Sequence, residues 1–189
     1  LGGDITSTTD GIAFATAVTL TDAVAMTTGG GVDDDIVFTS TVDGDVVDTQ
    51  TLALDSGADG DITFGDTVGA VQRLGAVTIA NAADVTATGT FGAASFTQGA
   101  GTGITDFQDA ITTGVGNFAF TGNDLTISSA NPSTIAGSMT VTNAGTFTTG
   151  ATADVTVNGG EFIQDGAGVN RLGGDITSTT DGIAFATAV

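Results

Sequence analysis

The side chains best able to do chemistry in this chain are aspartates. Twenty-one Asp and one Glu, Glu161, stand against two cations, Arg73 and Arg171, for a net charge of −20. The acids cluster at Asp33, Asp34 and Asp35, at Asp43 with Asp45, and at Asp55, Asp59 and Asp61. Hard carboxylate oxygens on tight turns suit Ca²⁺, which takes about six to eight oxygen ligands. Asp33, Asp34, Asp35, Asp55, Asp59 and Asp61 are therefore the candidate calcium ligands. Their spacing does not follow an EF-hand loop, and the Gly-Gly-x-Gly-x-Asp nonapeptide of calcium-binding rolls is absent. The same residues also fit a solvated acidic face that keeps a large assembly soluble.

Other chemistries find fewer residues. Paired carboxylates can hydrolyse sugars as an acid and a base, but the chain has no Trp or Tyr to form a sugar platform and almost no cation for an anionic one. The expectation is that it is not an enzyme. With no Cys, disulfides and thiolate metal sites are excluded. Two arginines cannot neutralise a phosphate backbone, which rules against nucleic acid as a partner. An anionic membrane would repel the chain, and no apolar run of about 18 residues could insert in one. Thr-x-Thr pairs at Thr19/Thr21, Thr39/Thr41, Thr86/Thr88 and Thr140/Thr142 fit a hydroxyl ladder of the ice-binding kind, or ordinary exposed strand faces. Arg73 and Arg171 each precede Leu-Gly, which suggests one shared role, either an Arg–carboxylate fork or a plain surface arginine.

These residues must be carried by strands. Thr (37 residues), Val, Ile and Phe favour strands, and Gly (30 residues), Asp and Asn favour the turns between them. Apolar and hydroxyl residues alternate at period two in Ile36–Val42 and Met139–Thr142. Phe38, Phe64, Phe91, Phe96, Phe118, Phe120, Phe147 and Phe162 fall in such segments and are expected to stack inside. A tripeptide of Asp, an aliphatic residue and Thr or Val recurs at Asp4, Asp35, Asp61, Asp84, Asp124, Asp154 and Asp175. The variant Gly103-Ile104-Thr105 fills the longest gap, and the spacings are then 31, 26, 23, 19, 21, 30 and 21 residues. A turn residue followed by an inward aliphatic side chain is what the corner of a solenoid coil needs. The prediction is an all-β fold, a parallel β-solenoid with coils of about 20–30 residues. Seven to nine such coils per unit would give a rise of about 34–43 Å. The alternative is tandem immunoglobulin-like β-sandwiches, which usually lean on a core Trp or Tyr and on edge prolines. This chain offers only Pro132.

Residues Leu172–Val189 repeat Leu1–Val18 without a change, at an offset of 171 residues. The domain reading is therefore one full repeat unit, 1–171, followed by the start of the next, 172–189. That points to a tandem array or fibre whose main partner is itself. A second expectation is a binding module, with loops in Asp22–Asp35 or Asp106–Gly116 recognising a glycan or a partner cell.

The phrases Gly3-Asp4-Ile5-Thr6-Ser7-Thr8, Asp35-Ile36-Val37-Phe38-Thr39-Ser40-Thr41-Val42-Asp43-Gly44, Gly60-Asp61-Ile62-Thr63-Phe64 and Asn123-Asp124-Leu125-Thr126-Ile127 resemble those of filamentous-haemagglutinin-like proteins. These are very large, repetitive bacterial surface proteins and adhesins. The resemblance implies a right-handed parallel β-helix, export across the envelope, an extracellular or cell-surface location and a role in adhesion or in a filament. It brings no catalytic motif.

Overall fold

A computed structural model describes all 189 residues, and they form 23 short strands with no helix. Every strand pair is parallel, and the chain winds as a right-handed β-solenoid of about 8 turns. The sandwich alternative is excluded by this, because sandwiches are built from antiparallel pairs.

Each coil has three faces. The first carries Ile5–Thr6, Val24–Thr27, Leu52–Asp55, Leu74–Ile79, the second half of Phe91–Gln98, Phe118–Gly122, Met139–Asn143, Phe162–Gln164 and Ile183–Phe185. The second carries Ile12–Phe14, Ile36–Phe38, Ile62–Phe64, Val85–Ala87, Ile104–Phe107, Asp124–Ile127, Thr146–Thr149 and Val169–Leu172. The third carries Val18–Leu20, Val42–Gly44, a bridge at Val68, the first half of Phe91–Gln98, Ile111–Thr113, Ser133–Ile135, Val155–Val157 and Ile176–Ser178. The strand Phe91–Gln98 runs round a corner: Phe91 faces Ile111 on the third face, and Phe96 faces Phe118 on the first.

Register along the first face gives the coil lengths. Ile5 lies opposite Met26, Val24 opposite Leu52, and Leu52 opposite Val77. Phe96 then follows Val77, Phe118 follows Phe96, Met139 follows Phe118, Phe162 follows Met139, and Ile183 follows Phe162. The steps are 21, 28, 25, 19, 22, 21, 23 and 21 residues, within or close to the predicted range. The longer coils spend their extra residues in corner loops, where solvated backbone tolerates insertion.

Three-residue strands with the pattern buried, half-buried, buried turn two side chains inward per face. Those side chains merge into one core of 36 residues. All eight predicted phenylalanines are in it, together with Phe107. On the second face the rings of Phe14, Phe38 and Phe64 stack at 5.3 and 5.4 Å, nearly parallel. The stack ends because the next inward position is Ala87, between Phe64 and Phe107. Phe91 fills that gap from the third face, edge-on to Phe64 at 5.6 Å and to Phe107 at 5.3 Å. Alternating large and small residues thus keep the interior filled, as close packing demands.

All seven Asp-aliphatic motifs open strands, but not on one face. Asp4 precedes the first face, Asp35, Asp61, Asp84 and Asp124 the second, and Asp154 and Asp175 the third. The variant at Gly103 is displaced by one position. Ile104 pairs with Asp124, so Ile104 takes the aspartate's outward place and is 48% exposed. Thr105 turns inward instead and donates its hydroxyl to Gln98 Oε1 at 2.9 Å.

Candidate functional site

The acidic loops lie on the corner between the first and second faces. The Asp33–Asp35 loop of one coil stacks on the Asp55–Asp61 loop of the next. They come close because Gly30 and Gly57 take left-handed backbone, with φ of 83° and 74°. A Cβ on Gly57 would stand 2.5 Å from the Gly30 Cα.

This stacking gathers the six candidate ligands on one corner but does not aim them at one point. No group of three acidic side chains is placed to hold a metal ion. The carboxylates accept backbone hydrogens instead. Asp34 Oδ2 accepts from Gly31 N at 2.8 Å, and Asp55 Oδ1 accepts from Gly57 N at 3.1 Å. Asp35 Oδ1 accepts from Asp61 N at 2.8 Å, and Asp61 Oδ1 accepts from Asp84 N at 3.0 Å. Asp33 and Asp59 are exposed.

The last two bonds belong to a general device. Asp84 accepts from Ile104 N at 2.6 Å, and Asp124 accepts from Thr146 N. Asp154 accepts from Asp175 N at 2.9 Å on the third face, and Asp4 accepts from Ala25 N at 2.8 Å on the first. At each of these positions an N–H faces the coil below and needs an acceptor there. The aspartate one coil below supplies the acceptor, as an N-cap does for a helix. The motif therefore caps the following coil rather than its own turn.

The same corner, further along, opens into a groove of about 710 Å³. It spans four coils and is walled by small residues such as Gly101, Gly122, Ala144 and Gly166. Its floor rests on buried amides. Gln164 donates to Asn143 Oδ1 at 2.8 Å and to Gly166 O at 2.7 Å, and Asn170 donates to Gln164 Oε1 at 3.1 Å. Gln98 stands in the groove's first coil, parted from these amides by Phe120, and all four amide side chains are at most 5% exposed. Asp165 is the one acid on the groove's wall, and it accepts the Thr142 hydroxyl at 2.5 Å. No motif in the sequence marks this groove. Its only signal is period two carried into a polar residue, as in Phe96-Thr97-Gln98 and Phe162-Ile163-Gln164.

Of the predicted recognition loops, Asp22–Asp35 spans the strand Val24–Thr27 and one acidic loop. Asp106–Gly116 contains Asp109, whose Oδ1 accepts from the Asn131 amide at 2.8 Å and from Ala110 N at 2.7 Å. These two bonds, the Asn131 one foremost, hold the Asp109 carboxyl below its ordinary range.

The two arginines do not share a role. Arg73 forms a fork with Asp48, Nε to Oδ1 and a terminal nitrogen to Oδ2, both at 2.6 Å. Asp48 raises the guanidinium's pKa, chiefly through this hydrogen bond. Asp48 itself has φ of 59°, the only non-glycine in that region, and its N–H donates to Arg73 O at 2.8 Å. Arg171 is exposed and makes no ion pair. The Thr-x-Thr pairs also fail to align, since they fall on different faces and corners. A single file forms elsewhere, as Thr112, Thr134, Thr156 and Thr177 stack in register on the third face.

Comparison with protein-family models, with curated proteins and with solved structures finds no match for this chain.

Proposed function

We propose that the chain is a structural repeat of an extracellular fibre or giant surface adhesin, in which units join end to end into a continuous β-solenoid. The observation that carries this reading is the second copy of Leu1–Val18. Residues 172–189 extend the stack: Ile176–Ser178 pair with Val155–Val157, and Ile183–Phe185 pair with Phe162–Gln164. The first copy supports the coil above it in the same way, with Ile5 opposite Met26 and Ile12 opposite Ile36. A segment that both receives and supports coils is suited to join one unit to the next.

A buried acceptor supports continuation. The Asn170 Oδ1, on the last strand of the second face, has no hydrogen-bond donor, although Asn170 is only 5% exposed. Asn143 Oδ1 accepts from Gln164 of the coil above it, and a donor in a following coil would satisfy the Asn170 oxygen in the same way.

The mechanism is mechanical. Backbone ladders bear load along the axis, the phenylalanine-rich core resists bending, and the acidic surface keeps the fibre dispersed. In this reading the fibre lies outside the cell, as the haemagglutinin-like phrases imply, and performs no catalysis. Electron microscopy of the native assembly tests it. Continuous rods built from a repeat of about 37 Å are expected, from coils spaced about 4.8 Å. Dispersed single chains would refute it.

A second reading is favoured by the groove. A wall of small residues above a row of amides suits an extended neutral glycan or a partner-cell ligand. Saturable glycan binding by chains that never assemble would support this alternative.

A further inference from the structure

The two copies of the repeated segment do not occupy the same faces. In the first copy Ile5–Thr6, Ile12–Phe14 and Val18–Leu20 lie on the first, second and third faces. In the second copy the equivalent of Ile5, Ile176, lies on the third face, and the equivalent of Ile12, Ile183, lies on the first. Thus 171 residues advance the chain by seven turns and two faces, not by a whole number of turns.

The motif spacings show where along the chain the offset arises. From Asp35 to Asp61 to Asp84 the motif stays on the second face, and steps of 26 and 23 residues are single coils. The two longest steps, 31 residues from Asp4 to Asp35 and 30 from Asp124 to Asp154, are those at which the motif changes face. Each is a coil and a third. Two such steps and five single coils again give seven turns and two faces.

We infer that successive units are seated a third of a turn out of step, so that a given side of the fibre meets the same face only at every third unit. This rests on the proposed end-to-end array. The interaction surface is the open edge formed by Val169–Leu172, Ile176–Ser178 and Ile183–Phe185, and its occupant is a second copy of this unit. The seating follows from sequence identity. In the first copy Val24–Thr27 lies on Ile5–Thr6, and Ile36–Phe38 lies on Ile12–Phe14. The next unit's equivalents therefore lie on Ile176–Ser178 and Ile183–Phe185, each one face away from its place in the first unit. The three faces accept this exchange because the segment keeps its inward side chains in both settings. Phe14 stacks on Phe38 in one, and Phe185 packs on Phe162 at 5.2 Å in the other. The groove and the four-motif aspartate ladder consequently wind round the fibre and face three directions in turn.

Cysteine cross-linking of the full chain tests the offset, since the chain has no cysteine of its own. Thr156 and Thr177 are in-register neighbours with side chains turned outward. Such neighbours lie about 4.8 Å apart, within disulfide reach. The double variant Thr156→Cys/Thr177→Cys is expected to cross-link to completion within one chain on mild oxidation, and Ile163→Cys/Thr177→Cys to stay reduced. A whole-turn repeat would seat residue 177 over Ile163 and reverse the two results, overturning the inference. A second pair guards against a misfolded variant: Ile163→Cys/Ala184→Cys should cross-link and Arg171→Cys/Ala184→Cys should not, with the opposite outcome again overturning it. Failure to form fibres would refute the array while leaving this cross-linking test decisive for the offset.

Discussion

Replacing Asp61 separates the two opposing effects of the aspartate ladder. Its Oδ1 accepts the Asp84 N–H at 3.0 Å, while its own N–H donates to Asp35. Loss of a comparable capping acceptor costs about 0.5–2 kcal/mol. Against that stands repulsion from Asp35 and Asp84, each one coil away. Two charges about 5 Å apart in water repel by roughly 0.8 kcal/mol. Screening over a Debye length of about 8 Å at physiological salt halves this, so the two neighbours together cost about 0.9 kcal/mol. The cap and the repulsion are therefore of similar size, and the two substitutions must differ. Asp61→Asn keeps the acceptor and removes the charge, so it should stabilise by a few tenths to about 1 kcal/mol. Asp61→Ala removes both and should lie about 1 kcal/mol below Asp61→Asn, a gap of about 2–4 °C in melting temperature. Raising the salt to 1 M shortens the Debye length to about 3 Å. The advantage of Asn over the wild type should then vanish, while the gap between Asn and Ala persists. Thermal melts of the three proteins at two salt concentrations read this out. Equal stability of the Asn and Ala variants at both would show that the carboxylate-to-amide bonds contribute nothing.

Gly57→Ala should destabilise by about 1–3 kcal/mol, because its left-handed φ and its contact with Gly30 both oppose a side chain. Gly3→Ala, with nothing within 4 Å, is the matched control and should leave the melt unchanged. Asp109 is held below its ordinary pKa in the fold, so its contribution to stability is complete above the unfolded value and is lost as pH falls through the folded one. Acid melts below about pH 4 should therefore show less pH dependence in Asp109→Asn than in the wild type. Because no three acids converge, millimolar calcium and magnesium should raise the melting temperature equally, through screening. A rise specific to calcium and reversed by a chelator would show that the Asp33–Asp35 and Asp55–Asp61 loops close on the ion.

The solenoid was legible in the sequence because its coils repeat a local requirement. Each coil needs a turn residue, an inward aliphatic side chain and an outward Thr or Val, and seven such triplets stand in the sequence at the strand starts. The phenylalanines were legible as core through their period-two neighbours. Partnership between coils was not legible. Asp61 reads as a surface charge or a metal ligand until register brings the Asp84 N–H above it. Asn143 and Gln164 read as solvated amides until stacking turns them under a groove. The equivalence of Arg73 and Arg171 failed for the same reason. The Leu-Gly that follows both is local, whereas the Asp48 that distinguishes them is supplied by the coil below Arg73.

The unequal motif spacing carries the most information about assembly. Charge alone does not explain a third-turn offset. The ladder from Asp35 to Asp124 covers four coil steps, about 19 Å of a unit rise of about 37 Å. Even without an offset, ladders on one face would be separated by about 18 Å, already more than two Debye lengths at physiological salt. What the offset changes is lateral contact. Flat ribbons form when the same face recurs on the same side at every unit, so that two fibres meet along an unbroken surface. With faces exchanged at each junction, a matching face returns only after about 110 Å, and the intervening contacts set corner loops against strands. These fibres should therefore remain single threads even in about 1 M salt, where a Debye length of about 3 Å removes the repulsion between their acidic surfaces. Micrographs showing ribbons with a lateral register of about 37 Å would mean that every unit presents the same face, and would refute this account of the junction.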